Sequence, residues 1–107
     1  MGANDEELAR KQELLLRAAR AIAQLYQPGL VELAYRDRKL GPALRAVEKE
    51  LDERFWELPY KEARLLLVRW YRLWERASQE AKVERIVKTF RGRRIHASTR
   101  DREGAHP

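Results

Sequence analysis

Cysteine is absent from this 107-residue chain, which excludes disulfide bonds, thiolate metal ligands and a thiol nucleophile together. Histidine is nearly absent as well. His96 and His106 are the whole supply, both near the carboxyl end, with no acidic cluster beside them at the spacing a metal site uses. Glycine and proline number only 5 and 4, and no glycine belongs to a phosphate-binding loop or a nucleophile elbow. Ser78, Ser98 and Thr99 stand without a base placed by any pattern. No apolar run is longer than Leu65 to Val68, far short of the roughly 20 residues that cross a bilayer, and no signal-peptide core is present. The Met-Gly start does not fit the myristoylation pattern, because Glu6 stands where Ser or Thr is wanted. These absences set the expectation of a cytoplasmic, non-enzymatic protein with no metal, cofactor, small-molecule substrate or membrane partner.

What remains is helix-forming material. Apolar residues make up 44% and charged residues 37%, with Ala, Leu, Glu and Arg prominent, a composition that points to an all-α chain. The length allows one core and no second. We therefore expect a small bundle of four to five helices over residues 1–92, followed by a basic, disordered tail over residues 93–107, where apolar residues thin out.

Apolar periodicity places the helices. Leu8, Leu15, Ala19, Ile22 and Tyr26 recur at spacings of seven and four, with Ala18 and Leu25 beside them, and predict a first amphipathic helix that ends at Pro28-Gly29. A short helix follows from Leu30 to about Lys39, and Gly41-Pro42 punctuates it. Leu44, Val47, Leu51, Phe55 and Leu58 then predict a third helix from Pro42 to about Glu57, whose opposite side is acidic through Glu48, Asp52 and Glu53. Such carboxylates on a polar face are expected to be solvated charges. Trp56 leaves that apolar stripe and is expected to fold over the helix end, since tryptophan is seldom left bare.

Pro59 opens the longest helical stretch, which reaches Arg91 before Gly92 offers a stop. Its first part aligns Ala63, Leu67, Trp70, Trp74, Ala77 and Ala81 at alternating steps of four and three, the spacing of a seam against neighbouring helices. Beyond Lys82 the pattern changes sides. Val83, Ile86, Val87 and Phe90 lie about 180° from the earlier stripe, and Lys82, Arg85, Lys88 and Arg91 take its place. A straight helix cannot bury both stripes in one core. Either the chain bends near Ser78-Gln79 and folds its last segment back, which is the expectation adopted, or the helix continues and offers a second face to another molecule.

Charge is as unevenly distributed as hydropathy. Residues 1–58 carry 10 basic and 11 acidic side chains (net −1), whereas residues 59–107 carry 13 and 6 (net +7). Lys82, Arg85, Lys88, Arg91, Arg93 and Arg94 cluster at the end of the last helix, more cations than helix capping requires. A helix-turn-helix over residues 30–57 is disfavoured, because its recognition helix would carry Glu48, Glu50, Asp52 and Glu53 against phosphate. Trp70, Tyr71 and Trp74 could stack on single strands, but the two tryptophans belong to the core stripe. The leading expectation is a nucleic-acid-associated subunit, within a ribonucleoprotein complex, whose basic helix and tail touch RNA or DNA phosphates without reading sequence. Its alternative is a helical protein–protein adaptor or oligomerising scaffold that uses Val83, Ile86, Val87 and Phe90 as its partner interface, with other subunits or a second copy as partner.

Overall fold

The computed structural model describes the backbone of residues 2–100 and the side chains of residues 5–91. The described chain is an all-α bundle. Four helices follow one another, α1 (Gly2–Gln24), α2 (Leu30–Arg36), α3 (Leu40–Arg54) and α4 (Tyr60–Arg100), with a single 3-10 turn at Phe55–Glu57 between the last two. The tail expected to be disordered over residues 93–107 lies outside the described residues in its side chains throughout. Its backbone does so beyond Arg100, and between 93 and 100 the backbone belongs to α4.

α4 is the element on which the others assemble: α1, α2 and α3 all pack against it, and α1 has its main contact there alone. Arg10 lies over the Tyr60 ring while Gln27 reaches Ser78, so α1 runs alongside α4 in the same direction. α3 runs the other way, with Leu40 and Leu44 beside Trp74 and Ala77, and Phe55 just beyond its end beside Ala63 and Leu67. The predicted seam on α4 is the one that packs. Ala63, Leu67, Trp74, Ala77 and Ala81 are buried, and the half-buried Trp70 touches both apolar clusters and joins them. Alanine at three of these positions lets neighbouring helices approach closely, and the two indoles fill the space between them.

The stripe on α1 differs from its expectation. Leu8, Ala19 and Tyr26 are exposed, and the side facing α4 is Lys11, Leu14, Leu15, Ala18, Ile22 and Leu25. The seam is rotated because α1 meets chiefly one helix, which needs only a narrow contact at alternating steps of three and four. Periodicity missed it because its first position is a lysine. Lys11 is 3% exposed, and its ammonium donates to the Trp56 carbonyl at 2.9 Å with Glu7 at 3.9 Å. That pairing gives a buried cation the partners it requires. Trp56 itself packs edge-on against Phe55 at 4.9 Å yet stays 44% exposed, so it covers the helix end only in part.

The connections are set by local chemistry. Gly29 adopts φ 83°, a left-handed turn that glycine enters without steric cost, and it separates α1 from α2. Between α2 and α3 the Asp37 carboxylate accepts the amides of Lys39 at 2.8 Å and Leu40 at 2.9 Å, supplying partners for donors at the start of α3. Gly41 is fixed by proximity, since a Cβ there would stand 2.5 Å from the Tyr35 carbonyl oxygen. One expected surface carboxylate is half-buried and hydrogen-bonded instead. Glu48 accepts the Tyr35 hydroxyl at 2.7 Å and the Trp70 indole N–H at 3.1 Å, tying α2, α3 and α4 together. Burial, and then the hydrogen bond to Glu48, push the Tyr35 phenol up to about 12.

α4 does not break at Ser78-Gln79; it is one continuous helix. The expected bend is absent because Ser78 is used elsewhere. Its buried hydroxyl accepts the Gln27 amide at 3.0 Å and donates to the Leu25 carbonyl at 3.3 Å, so it clasps the end of α1 and leaves its own helix intact.

The amides of Leu40 and then Lys39 hold the Asp37 carboxyl below its ordinary range. A carboxylate with a depressed folded-state value stabilises the protein above the unfolded value of roughly 4, and that contribution is lost as pH falls through the folded value. Asp37→Ala is thus expected to lower the melting temperature at pH 7. The gap from the parent protein should narrow as the pH is lowered below the unfolded value and through the folded one, which thermal denaturation across pH measures.

Candidate interaction surface on the projecting helix

Among the described side chains Ala81 is the last buried one of α4, and every one from Lys82 to Arg91 is exposed. The neighbours of this stretch among the described residues are the α1–α2 turn and Leu33 of α2: Arg85 reaches the Pro28 carbonyl, and Glu84, Arg85 and Lys88 border a small pocket with Pro28, Gly29 and Leu33. Its backbone is helical because the core holds the preceding part of the same helix, Tyr60 to Ala81, in register, so the nucleation cost is already met. Helix-compatible residues then propagate it, aided by the i,i+4 pair of Glu84 with Lys88 at 3.2 Å.

The helical rotation sorts this segment into two sides. Val83, Ile86, Val87 and Phe90 lie within about 100° of one another and face away from the bundle side of α4. They are 58%, 56%, 39% and 62% exposed. Lys82, Arg85, Lys88 and Arg91 occupy the other side. The structure brings these four cations together on one helix but engages two of them: Arg85 donates to the Pro28 carbonyl at 3.3 Å, and Lys88 pairs with Glu84. Among the described residues Lys82 and Arg91 have no ion pair. None of the four is neutralised by a carboxylate from the amino-terminal half. The side chains of Arg93 and Arg94 lie outside the described residues.

A second feature of the same helix is a groove beside its row of arginines. Arg69, Arg72 and Arg76 border an open groove of about 430 Å³ between α3 and α4, floored by Ala43, Ala46, Val47 and Leu73. Among the described residues none of these guanidiniums has a carboxylate oxygen within 4.0 Å. The spacing of three and four marked a row of arginines on the far side of α4. Only the packing of α3 supplies the apolar floor beside it.

Among the described residues no group of three potential metal ligands is assembled, and no helix is long and apolar enough to cross a membrane. No protein family, curated protein or solved structure matches the chain. The geometry of α4 is therefore the ground on which function is argued.

Since residues 82–91 bury nothing in the core, they add little to the stability of the fold. A chain ended after Lys82 is expected to keep its helical far-ultraviolet signature and to melt within about 4 °C of the full chain, a shift on the order of 1 kcal/mol or less for a domain of this size. Differential scanning calorimetry on the two chains checks this.

Proposed function

We propose that the protein is a non-enzymatic interaction subunit, a helical bundle that holds out a bare amphipathic helix to a protein partner. One observation carries the reading: four large apolar side chains lie uncovered, side by side, on a helix that leaves its own core behind. Contiguous exposed apolar patches on small proteins mark places where another molecule binds, whereas single exposed apolar residues need no explanation. The spacing adds to the case. Val83, Ile86, Val87 and Phe90 stand at i, i+3, i+4 and i+7, the anchor pattern of a helix that lies in a groove. A photo-crosslinking residue in place of Val87, in the cells that make the protein, is expected to give a discrete adduct with another protein. The same residue in place of the exposed Lys49 should give none. Absence of any adduct from positions 83, 86, 87 and 90 would remove the proposal.

The segregation of cations favours a second reading, in which the opposite side of the same segment touches nucleic-acid phosphate. Lys82, Arg85, Lys88 and Arg91 line that side, and Arg93 and Arg94 follow in the sequence. If about five phosphates are neutralised, the logarithm of the binding constant should fall with that of salt at a slope of about −4.5 on duplex DNA. Changing Arg85, Lys88 and Arg91 together to Gln should weaken binding to every sequence alike and flatten the slope. A gel shift on mixed DNA and RNA that shows no complex at low salt excludes this reading.

A further inference from the structure

We infer that the partner of α4 is an amphipathic helix with two zones, carboxylates at one end and apolar side chains at the other, laid along the outer face of α4 from Arg69 to Phe90. The inference rests on the reading of the Val83–Phe90 stripe as a protein-docking surface and extends it by naming what must face it.

At 100° per residue, Arg69, Arg72 and Arg76 fall in the same arc of about 100° as the apolar stripe, opposite the buried Ala63, Trp74, Ala77 and Ala81. Because α4 is continuous, the arginine row and the stripe are two ends of one face. Gln79 lies between them, and Glu75 and Glu80 stand at the edges. The face from residue 69 to residue 90 is about 32 Å long at 1.5 Å per residue, the length of a partner helix of roughly 20 residues. Its arginine end is a built groove of about 430 Å³, with Ala43, Ala46 and Val47 as the floor. The guanidiniums there are unpaired with carboxylates among the described residues. Asp37, which Arg76 influences, is already committed to the amides of Leu40 and Lys39, while Glu50 and Glu62 border a neighbouring pocket with Arg69 without forming an ion pair to it.

Charge decides what can lie on this face. A second copy placed parallel would set arginine row against arginine row, and like charges in contact repel. A second copy placed antiparallel would set each apolar stripe against the other's guanidiniums and cover neither properly. The apolar stripe alone is too small to hold a dimer: four side chains over two turns bury well below the roughly 1,200 Å² of a stable interface. A partner with carboxylates opposite Arg69, Arg72 and Arg76 and apolar side chains opposite Val83, Ile86, Val87 and Phe90 satisfies both ends at once. Guanidinium–carboxylate pairs at one end then fix register and orientation, while apolar contact at the other supplies burial.

The test uses the full chain and a synthetic probe. A fluorescein-labelled 22-residue helical peptide, with Glu at three positions spaced i, i+3 and i+7 over one half and Leu at i, i+3, i+4 and i+7 over the other, is titrated by anisotropy. The control peptide carries Lys at the three Glu positions. Preferential binding of the acidic peptide, by tenfold or more, is the expected result. Binding should weaken at least tenfold in Phe90→Ala and in the double variant Arg72→Gln with Arg76→Gln, and the salt dependence should shrink in the arginine variant only. These side chains are exposed, so circular dichroism should show both variants folded. Equal binding of the two peptides, or indifference to the arginine variant, overturns the inference while sensitivity to Phe90→Ala leaves the docking role of the stripe standing. Failure of the acidic peptide to bind overturns the inference. A concentration-dependent dimer in sedimentation that Phe90→Glu abolishes would make a second copy the occupant and likewise overturn it.

Discussion

An unbroken helix can offer only one side to a given core, and α4 is unbroken where its sequence carries two apolar sides. The rest of the molecule follows from that constraint. Small and aromatic residues from Ala63 to Ala81 take the side toward α1, α2 and α3. Whatever lies opposite them has no element of this chain to cover it. The polar clasp at Ser78 is what keeps the constraint in force, because Gln27 and the Leu25 carbonyl spend the hydroxyl that could otherwise loosen the helix at its middle.

Polar groups are placed at the joints of the fold and apolar groups between them. Lys11 closes the junction of α1 with the turn after α3, Glu48 gathers hydroxyl and indole donors from α2 and α4, and Asp37 starts α3. Each is a charged side chain in an interhelical or capping position with hydrogen-bond partners, which for the buried Lys11 is the condition under which a charge is tolerated away from water. Three short connections in a small bundle leave little room for alternative packing. These contacts select the helix faces that meet.

The two functional readings share a single physical basis, the division of the projecting segment into an apolar and a cationic side. They differ in which side binds first. Uncovered Val, Ile and Phe side chains are costly in water, whereas Lys and Arg are at home there, and that asymmetry is why the apolar side carries the leading proposal. Arg85 and Lys88 also have partners already, in a backbone carbonyl and in Glu84. The arginine groove between α3 and α4 extends the same face toward the bundle and gives it polarity along its length.

Sequence alone determined the all-α class, the approximate places of the helices, the seam from Ala63 to Ala81 and the change of sides after Lys82, because each is written in spacings along the chain. It also placed the cations and the stripe on opposite sides of one segment. Tertiary structure decided what local pattern leaves open: which apolar side of α1 faces inward, that a lysine belongs to that side, that Glu48 gathers donors from two other helices, and that Ser78 stabilises a turn instead of bending a helix. These outcomes depend on partners 22 to 53 residues away, and periodicity within a helix carries no information about groups that approach it from elsewhere in the chain.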